Sequence, residues 1–247
     1  MCDLSIVIVS WNVCPLLRQC LHSIYASLQL TGSPSCEIVV VDNVSTDATV
    51  EMVRAEFPSV HLIVNEENRG YPGANNQGLA IARGRHQMIL NPDTEIVGDA
   101  LATMVAYADA NPDVGVVGPQ LLWPKDADRL SRVQSSRRRF PTVMTALFES
   151  TWLQPYAPRR ALEHYYIQDQ SDDATIDVDW VKGAAVMVRQ AAIKQVGLMD
   201  DGYFMYSEEL DWCRRFKDAG WRVVYLPTAQ IVHHEGKSSE QVVTSRH

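Results

Sequence analysis

Apolar residues follow two alternating periods through the first 120 residues of the 247-residue chain. Short, nearly continuous apolar runs are typical of strands that are buried on both faces, whereas the segments between them repeat apolar residues at helical intervals. The runs predict strands over 4–10, 37–43, 61–65, 86–91 and 114–119, and the intervening segments predict helices over 13–29, 45–58, 74–84 and 98–112. This alternation predicts an α/β fold with a Rossmann-like, mostly parallel central sheet flanked by helices.

The periodicity weakens between residues 120 and about 176, where four prolines interrupt it and five arginines fall within 129–139. We interpret this stretch as an excursion over the active-site side of the sheet, not as a separate domain. Regular patterns then resume. They predict two strands within 176–189 around Gly183, a helix over 207–220, and strands over 222–227 and 230–234. One domain over 1–247 is therefore expected.

Composition narrows the class of protein. The chain is 46% hydrophobic and 21% charged, as expected of a globular protein with a sizeable core. Its net charge of −8 argues against nucleic acid as a partner bound over a broad basic face. Five scattered cysteines without a CxxC pair suggest neither zinc nor disulfides. Because the start does not resemble a signal peptide and no run approaches the ~20 apolar residues of a membrane span, a cytoplasmic protein is expected.

Two acids follow predicted strands at the edge where open α/β sheets bind ligands. Asp42 ends the second strand and Asp93 follows the fourth. Either acid could simply cap the next helix, but the helix after Asp93 starts only near Gly98, and Pro92 fixes the turn. A carboxylate held in this way suits a hard divalent cation, Mg²⁺ or Mn²⁺, that also holds substrate phosphates.

A third group of acids, Glu208, Glu209 and Asp211, lies at the amino end of a predicted helix. First-turn acids can merely complement the helix dipole. However, Glu208 and Glu209 point about 100° apart, so only one of them can do so if the other faces the crevice. His233 and His234 close the last strand and indicate a phosphate or metal contact. Together these residues suit group transfer from a nucleoside diphosphate, with a metal clamp and a separate base.

Seven segments, in order, give the chain a specific resemblance. They are VIVSWN, VVVDNVSTDAT, NRGYPGANNQG, LNPDTE, VDWVKGAAVMVR, GYFMYSEELDWCRR and AGWRVVYLP. Over nearly its whole length the chain resembles the inverting family 2 glycosyltransferases with the GT-A fold, particularly their rhamnosyltransferase-like branch. The resemblance implies a nucleotide-binding half over 1–120 and an acceptor-binding half over 121–247, the latter forming a C-terminal acceptor-side extension.

The resemblance also implies roles for individual residues. Asp42 matches the acid that hydrogen-bonds the pyrimidine base, and Asp93 takes the metal-ligand position of the family's Asp-x-Asp motif, which here reads Asn91-Pro92-Asp93. Glu209 matches the catalytic base, an Asp in many relatives, with Glu208 and Asp211 as alternatives. His233 matches a histidine that reaches metal or diphosphate. The implied nucleotide pocket contains Ser10, Asn12, Asp42, Gly70, Asn76, Gly78 and Asn91.

The acceptor side is less specified. Trp180, Met205 and Tyr206 are either core residues or an apolar platform for a sugar ring or lipid-linked acceptor. The arginines within 132–139 form either a solvated loop or a contact with an anionic acceptor, such as a polyprenyl-diphosphate-linked glycan. The sequence shows no amphipathic anchor, so any contact with the inner face of the plasma membrane is expected to be peripheral and salt-sensitive.

The expected reaction is inverting transfer of a sugar to a glycan or lipid-linked acceptor in cell-surface polysaccharide synthesis. The branch resemblance favours dTDP-rhamnose as the donor, and a UDP-sugar is the alternative. A nucleotidyltransferase or a dehydrogenase would need a Gly-rich loop after the first strand, which this chain lacks. Asn91 and Glu209 leave open a non-catalytic nucleotide-sugar-binding relative, and the sequence also leaves homodimer formation open.

Overall fold

The strands and helices of the protein are taken from a computed structural model, which describes residues 2–125, 132–149, 151, 158–203 and 206–235. The strands are β1 (Leu4–Ser10), β2 (Cys36–Asp42), β3 (His61–Val64), β4 (His86–Leu90), β5 (Thr94–Ile96), β6 (Val114–Leu122), β7 (Arg137–Arg138), β8 (Ile176–Asp177), β9 (Trp180–Val181), β10 (Ala185–Arg189) and β11 (Arg222–His233). The helices are α1 (Cys14–Leu28), α2 (Thr49–Glu56), α3 (Gly70–Ile81), α4 (Ala100–Ala110), α5 (Val143–Glu149), α6 (Arg159–Tyr165), α7 (Gln190–Val196) and α8 (Glu208–Asp218).

The main sheet has the strand order β3-β2-β1-β4-β10-β6-β11-β5, with β8 also paired to β11. Strands β1 to β4 pair in parallel, as do β6 and β11. Strand β10 lies between these two groups and is antiparallel to both β4 and β6. The mostly parallel sheet predicted from the sequence is therefore confirmed, and a single reversed strand joins its two halves.

The core occupies both faces of this sheet. Ile6 and Ile8 of β1 pack on one face with side chains of α1 and α4, whereas Val7 packs on the other face with side chains of α3 and α8. A strand covered on both sides has no polar alternation, which explains its continuous apolar sequence. Gly78 lets α3 approach the sheet closely, because a Cβ atom at this position would collide with the side chain of Val7.

Several boundaries differ from the sequence prediction. Helix α3 begins at Gly70, inside the segment predicted as a loop. The two strands predicted over 222–227 and 230–234 form one strand, β11, whose register against β6 shifts between Leu226 and Gln230. The stretch 176–189 forms three short strands. Strand β5 and helices α5 to α7 were not predicted, because elements of three to seven residues are too short to show a period.

The stretch after residue 120 is joined to the rest of the molecule by main-chain hydrogen bonds. Strand β7 pairs with β9, and the N–H of Lys182 donates to the carbonyl oxygen of Ser136 at 2.8 Å. The N–H of Arg139 donates to the carbonyl oxygen of Tyr165 at 2.9 Å, which ties the end of α6 to β7. This stretch therefore lies directly beside Gly183. Within the described ranges, no helix has the length and apolar character to cross a membrane.

Candidate functional site

Parallel pairing of β1 and β2 places two polar side chains next to each other at the carboxyl edge of the sheet. Ser10 is the register partner of Asp42, and both are buried. One carboxylate oxygen of Asp42, Oδ2, accepts a hydrogen bond from the N–H of Ser45 at 2.9 Å. Neither Asp42 Oδ1 nor Ser10 Oγ has a hydrogen-bond partner among the described residues, although both atoms are buried. Buried polar atoms are costly to leave unpaired, so this edge is equipped to bind a polar ligand.

The other predicted nucleotide contacts surround this edge. Asn12 has a left-handed backbone (φ 53°), and its Oδ1 accepts from the N–H of Thr46 at 2.7 Å. Gly70 also has positive φ (68°) at the start of α3, where Asn68 Oδ1 accepts its N–H at 2.9 Å. The amide of Asn76 pairs in both directions with the main chain of Met199, at 2.9 and 3.1 Å. Asn76 therefore holds α3 to the loop before α8, and its role in nucleotide binding stays a prediction.

The turn between β4 and β5 is fixed from several sides. The N–H of Asn91 donates to the carbonyl oxygen of Ala184, and Thr94 Oγ1 donates back to the carbonyl oxygen of Asn91 at 2.7 Å. The N–H of His234 donates to the carbonyl oxygen of Asp93 at 2.9 Å. Asp93 is buried, and its Oδ1 lies 3.5 Å from Nε2 of His233. Two residues 140 positions apart in the chain are thus brought together as the sequence analysis expected.

The histidine is oriented by Gln134. The side-chain nitrogen of Gln134 donates to the carbonyl oxygen of His233 at 2.6 Å, so its oxygen faces His233 Nδ1, 2.9 Å away. An amide oxygen can only accept, and Nδ1 must therefore carry a proton. In the neutral imidazole this leaves the lone pair on Nε2 directed at the carboxylate of Asp93. The Asp93 carboxylate and the Nε2 lone pair are both electron-pair donors, so a cation fits between them. A hydrogen-bond partner on the second ring nitrogen, here Gln134, is typical of metal-ligating histidines.

Further potential metal ligands are scarce near this pair. Across the described part of the chain, no group of three or more His, Cys, Asp or Glu side chains is arranged to hold a metal ion. Mg²⁺ commonly uses only one or two protein carboxylates and takes its other ligands from water and substrate phosphates. Asp93 and His233 therefore fit a divalent cation that is bound together with a phosphorylated substrate.

The acids of the third group lie at the start of α8, after two left-handed residues, Tyr206 and Ser207 (both φ 72°). Burial, and after it the negative charge of Glu209, raises the pKa of Glu208 to about 7. The pKa of Glu209 is also raised by burial, while the main-chain N–H of Gly183 and the charge of Lys182 oppose this increase. Asp211 differs, because its carboxylate pairs with Arg215 of the same helix at 2.8 Å. Of the three acids, Glu208 and Glu209 are thus the ones poised to accept a proton.

Tyr71 connects the turn at Asp93 with the acids of α8. Its hydroxyl group lies 3.0 Å from Asn91 Oδ1 and 3.0 Å from the carbonyl oxygen of Gly183. Its pKa is raised by burial first and then by the negative charges of Glu209, Glu208 and Asp93. All three carboxylates therefore lie near one buried hydroxyl group. Tyr71 thus holds the turn at Asn91 close to Gly183, beside which the Glu209 carboxyl group lies, and the joint role of these acids in one site stays a prediction.

The residues predicted for the acceptor side have varied surroundings. Trp180 is half-buried, and its indole N–H donates to the carbonyl oxygen of Arg139 at 3.0 Å. Tyr206 is exposed directly before α8. Met205 lies outside the described residues. Their role in acceptor binding stays a prediction.

The arginine run is only partly a surface feature. Arg137 is buried, donates to the carbonyl oxygens of Gln170 and Ser171, and stacks on the ring of Tyr225 with 4.9 Å between its Cζ atom and the ring centroid. The expectation that every arginine within 132–139 is solvated or contacts the acceptor is therefore wrong for Arg137. An irregular sequence does not reveal that a guanidinium group will serve several loop carbonyls.

Sequence reasoning missed three residues of the site. Tyr71 lies within a segment that was noticed for its glycines and asparagines, Gly183 marked only a break between strands, and Gln134 falls in the irregular stretch. Each acts through a contact that only the tertiary structure creates. One signal for these residues was present in the sequence, the aromatic Tyr71 directly after Gly70, because a solvated loop does not need an aromatic side chain.

Comparison with known proteins identifies the family to which this fold belongs. Residues 5–178 match the family described as Glycosyl transferase family 2. The chain therefore belongs to glycosyl transferase family 2 and is a glycosyltransferase. This result confirms the resemblance inferred from the sequence.

Curated relatives and solved structures agree with this assignment. The chain is 30% identical, over 96% of its own length and 77% of the relative's, to an N-acetylglucosaminyl-diphospho-decaprenol L-rhamnosyltransferase of Mycobacterium tuberculosis. It is 28% identical to the rhamnosyltransferase WbbL of Escherichia coli, over 67% of this chain and 61% of WbbL. The structure of GalNAc-T7 with UDP, GalNAc and Mn²⁺ superposes with a TM-score of 0.67 at 15% identity. The match covers 94% of this chain and 43% of the GalNAc-T7 chain. The mannosyltransferase PcManGT of Pyrobaculum calidifontis superposes with a TM-score of 0.62 at 19% identity. The match covers 99% of this chain and 61% of the PcManGT chain. These neighbours confirm the GT-A fold.

Proposed function

We propose that the protein is an inverting rhamnosyltransferase that moves rhamnose from dTDP-rhamnose to a lipid-linked glycan in cell-surface polysaccharide synthesis. The observation that carries this proposal is the 30% identity, over nearly the whole chain, to a rhamnosyltransferase whose name specifies a decaprenyl-diphosphate-linked acceptor. A dTDP-rhamnosyl transferase of Shigella flexneri, RfbF, is a further relative at 24% identity over 96% of the chain. The second candidate is a UDP-sugar donor, because a carboxylate at the position of Asp42 can accept a hydrogen bond from uracil as well as from thymine.

In this proposal the half of the chain over 1–120 binds the donor. Asp42 Oδ1 accepts the imide N–H of the pyrimidine, which thymine and uracil both carry. Asp93 and His233 would hold a divalent cation, Mg²⁺ or Mn²⁺, and its charge would offset the negative charge that develops on the leaving diphosphate. Because Asn91 and Asp93 sit in a turn tied to Ala184 and His234, the diphosphate site stays fixed as the bond breaks.

The half over 121–247 then binds the acceptor and supplies the base. Glu209 removes the proton from the acceptor hydroxyl as that oxygen attacks the anomeric carbon on the face opposite the leaving group. One displacement of this kind inverts the configuration of the sugar. Gly183 supports the role of Glu209, because its N–H contact holds the carboxylate in place and keeps part of it ionised. The raised pKa values of Glu209 and Glu208 suit a base that works near neutral pH.

The donor can be identified by thermal unfolding with a panel of nucleotide-sugars, with Mg²⁺, with Mn²⁺, and with chelator. A ligand that binds the native state raises the melting temperature. At a concentration of 100 times its Kd, the ligand stabilises the native state by about 2.7 kcal/mol. We expect dTDP-rhamnose to give the largest shift and the metal to increase it. Stabilisation by UDP-sugars alone would select the second candidate, and no shift with any donor would contradict both.

The metal site can be tested in the same assay with Asp93→Asn. This change should abolish the part of the shift that depends on metal, whereas the control Asp99→Asn, an exposed acid six residues later, should retain it. Transfer to a polyprenyl-diphosphate-linked N-acetylglucosamine acceptor then completes the test. Equal metal dependence in the wild type and in Asp93→Asn would exclude Asp93 as the ligand.

A further inference from the structure

Helix α5 carries its apolar side chains on the outside. Val143 is 88% exposed, Met144 50% and Leu147 46%, whereas Thr145 of the same helix is buried. Thr145 exchanges hydrogen bonds with Thr142 at the start of the helix: the N–H of Thr142 donates to Thr145 Oγ1 at 2.7 Å, and the N–H of Thr145 donates to Thr142 Oγ1 at 3.2 Å. A helix on a water-facing surface normally has the opposite arrangement, with its apolar stripe turned inward. The sequence analysis did not predict this exposed apolar helix.

The surroundings of α5 are basic, although the whole chain has a net charge of −8. Between residues 132 and 165 there are six arginines, two glutamates and no lysine or aspartate. Arg137 is buried, but Arg159 and Arg160 lie exposed at the start of α6. The side chain of Arg159 is 92% exposed and pairs with Glu163 of the same helix at 2.8 Å, whereas no ion pair is seen for Arg160 among the described residues. Helix α6 packs against α5. An exposed apolar helix thus lies beside exposed positive charge.

This surface is linked to the proposed acceptor side of the cleft. The end of α6 is hydrogen-bonded to β7 through Tyr165 and Arg139, and β7 pairs with β9. Strand β9 leads through Lys182 to Gly183, against which the carboxyl group of Glu209 lies. Only short secondary-structure elements therefore separate the surface from the proposed base.

We propose that this α5–α6 surface, formed by Val143, Met144, Leu147, Arg159 and Arg160, docks the protein on an anionic lipid bilayer. Apolar side chains on one helix face enter the boundary between headgroups and acyl chains, and neighbouring arginines bind anionic headgroups. Docking through one short helix is reversible and weakens with salt. The inference rests on the proposed lipid-linked acceptor, because such an acceptor resides in a membrane.

The test is cosedimentation of the full chain with vesicles of phosphatidylglycerol and phosphatidylethanolamine, compared with vesicles of phosphatidylcholine alone. We expect binding to the anionic vesicles and little to the neutral ones. Val143→Ser with Leu147→Ser should weaken binding at least about tenfold, because two partly buried aliphatic side chains are lost. Arg159→Gln with Arg160→Gln should weaken it by roughly 10- to 25-fold, since each arginine near an anionic surface contributes about fivefold.

Control pairs change exposed residues of the same kind elsewhere on the surface. Leu30 and Ile81 are 44% and 47% exposed, so Leu30→Ser with Ile81→Ser removes similar apolar surface. Arg54→Gln with Arg83→Gln removes two exposed arginines from the other half of the chain. Both control pairs should bind like the wild type. Thermal unfolding without vesicles should be unchanged in every variant, because all eight side chains are at the surface.

Three outcomes would overturn the inference. They are no binding of the wild type to anionic vesicles, equal loss in test and control pairs, and a dimer in vesicle-free solution that Val143→Ser with Leu147→Ser converts to a monomer. The last result would assign the surface to a second copy of the chain. Transfer to a water-soluble acceptor analogue separates this inference from the proposed function. A docking variant should retain that transfer, whereas its absence in the wild type would count against the function and not against the surface.

Discussion

Two groups of carboxylates face the same cleft, but their surroundings differ. At the donor edge, Asp42 accepts the N–H of Ser45, and Asp93 lies beside an imidazole that Gln134 orients. At the start of α8, Glu208 and Glu209 are adjacent, and burial raises the pKa of both. The first arrangement holds negative charges in place, whereas the second makes a proton easier to accept. Under the proposed function, this contrast assigns charge binding to one side of the cleft and proton transfer to the other.

The sharpest test of this contrast is Glu209→Gln, which removes the proposed base but keeps the shape of the side chain. Transfer should fall by roughly 10²- to 10⁴-fold, the usual contribution of a general base. Stabilisation by the donor should be unchanged, because the donor edge is intact. Single-turnover transfer and thermal unfolding measure the two quantities separately.

The matched control is Asp211→Asn, on the same helix turn but paired with Arg215. Transfer by this variant should remain within about threefold of the wild type, because its acid is engaged in a half-buried ion pair with Arg215. Full activity of Glu209→Gln together with a large loss in Asp211→Asn would move the base to Asp211 and end the contrast as drawn.

The sequence was sufficient for the sheet and for the acids, because both leave local marks. Buried parallel strands are continuous apolar runs, and Asp42 and Asp93 come directly after such runs. The direction of β10 could not be predicted, since Ala185–Arg189 shows the same apolar run whichever way it runs between β4 and β6. Residue types and strand ends thus predicted where the cleft lies, but not how its second half is attached.

The contacts that organise the site were not predictable for a related reason. Tyr71 touches Gly183 across 112 positions of sequence, and Gln134 touches His233 across 99. A hydroxyl or amide group carries no local pattern that names so distant a partner. The burial of Arg137 is a similar case, because it pairs with the distant Asp172 and donates to main-chain carbonyls, which every residue has. Long-range polar contacts therefore had to come from the structure.

A smaller effect is expected from Tyr71→Phe, which removes the hydroxyl group between the two sides of the cleft. The change leaves Asn91 Oδ1 and the Gly183 carbonyl oxygen without this donor, at a cost of about 1–3 kcal/mol. We expect kcat to fall roughly tenfold, because a shift of Gly183 misplaces Glu209, with little change in the KM for the donor.

The control for this variant is Tyr25→Phe, which removes a surface hydroxyl bonded to Ser59. It should leave kcat unchanged. A Tyr71→Phe protein that loses stability but keeps the wild-type kcat and pH profile would show that Tyr71 only supports the fold, and the two sides of the cleft would then act independently.

The smallest effect on turnover is expected from Glu208→Gln. This variant tests whether the pKa of Glu208 at the start of α8 is raised in the folded protein. The folded protein holds a proton on Glu208 up to about pH 7, whereas the unfolded chain releases it near the ordinary value of 4.5. The free energy of unfolding should therefore decrease in the wild type as pH rises through this window. Glu208→Gln cannot ionise, so it should match the wild type below pH 4.5 and exceed it above pH 7 by at most about 3 kcal/mol.

Urea unfolding at several pH values measures this difference, and Glu66→Gln, an exposed acid, provides the control with no pH-dependent gain. Because repulsion between the two carboxylates is mutual, Glu208→Gln should also move the acidic limb of kcat/KM to lower pH. A variant whose stability follows the wild type at every pH would mean that Glu208 is solvated in the folded protein. The raised pKa needed for proton transfer at α8 would then come only from the burial of Glu209, whose carboxyl group lies beside Gly183.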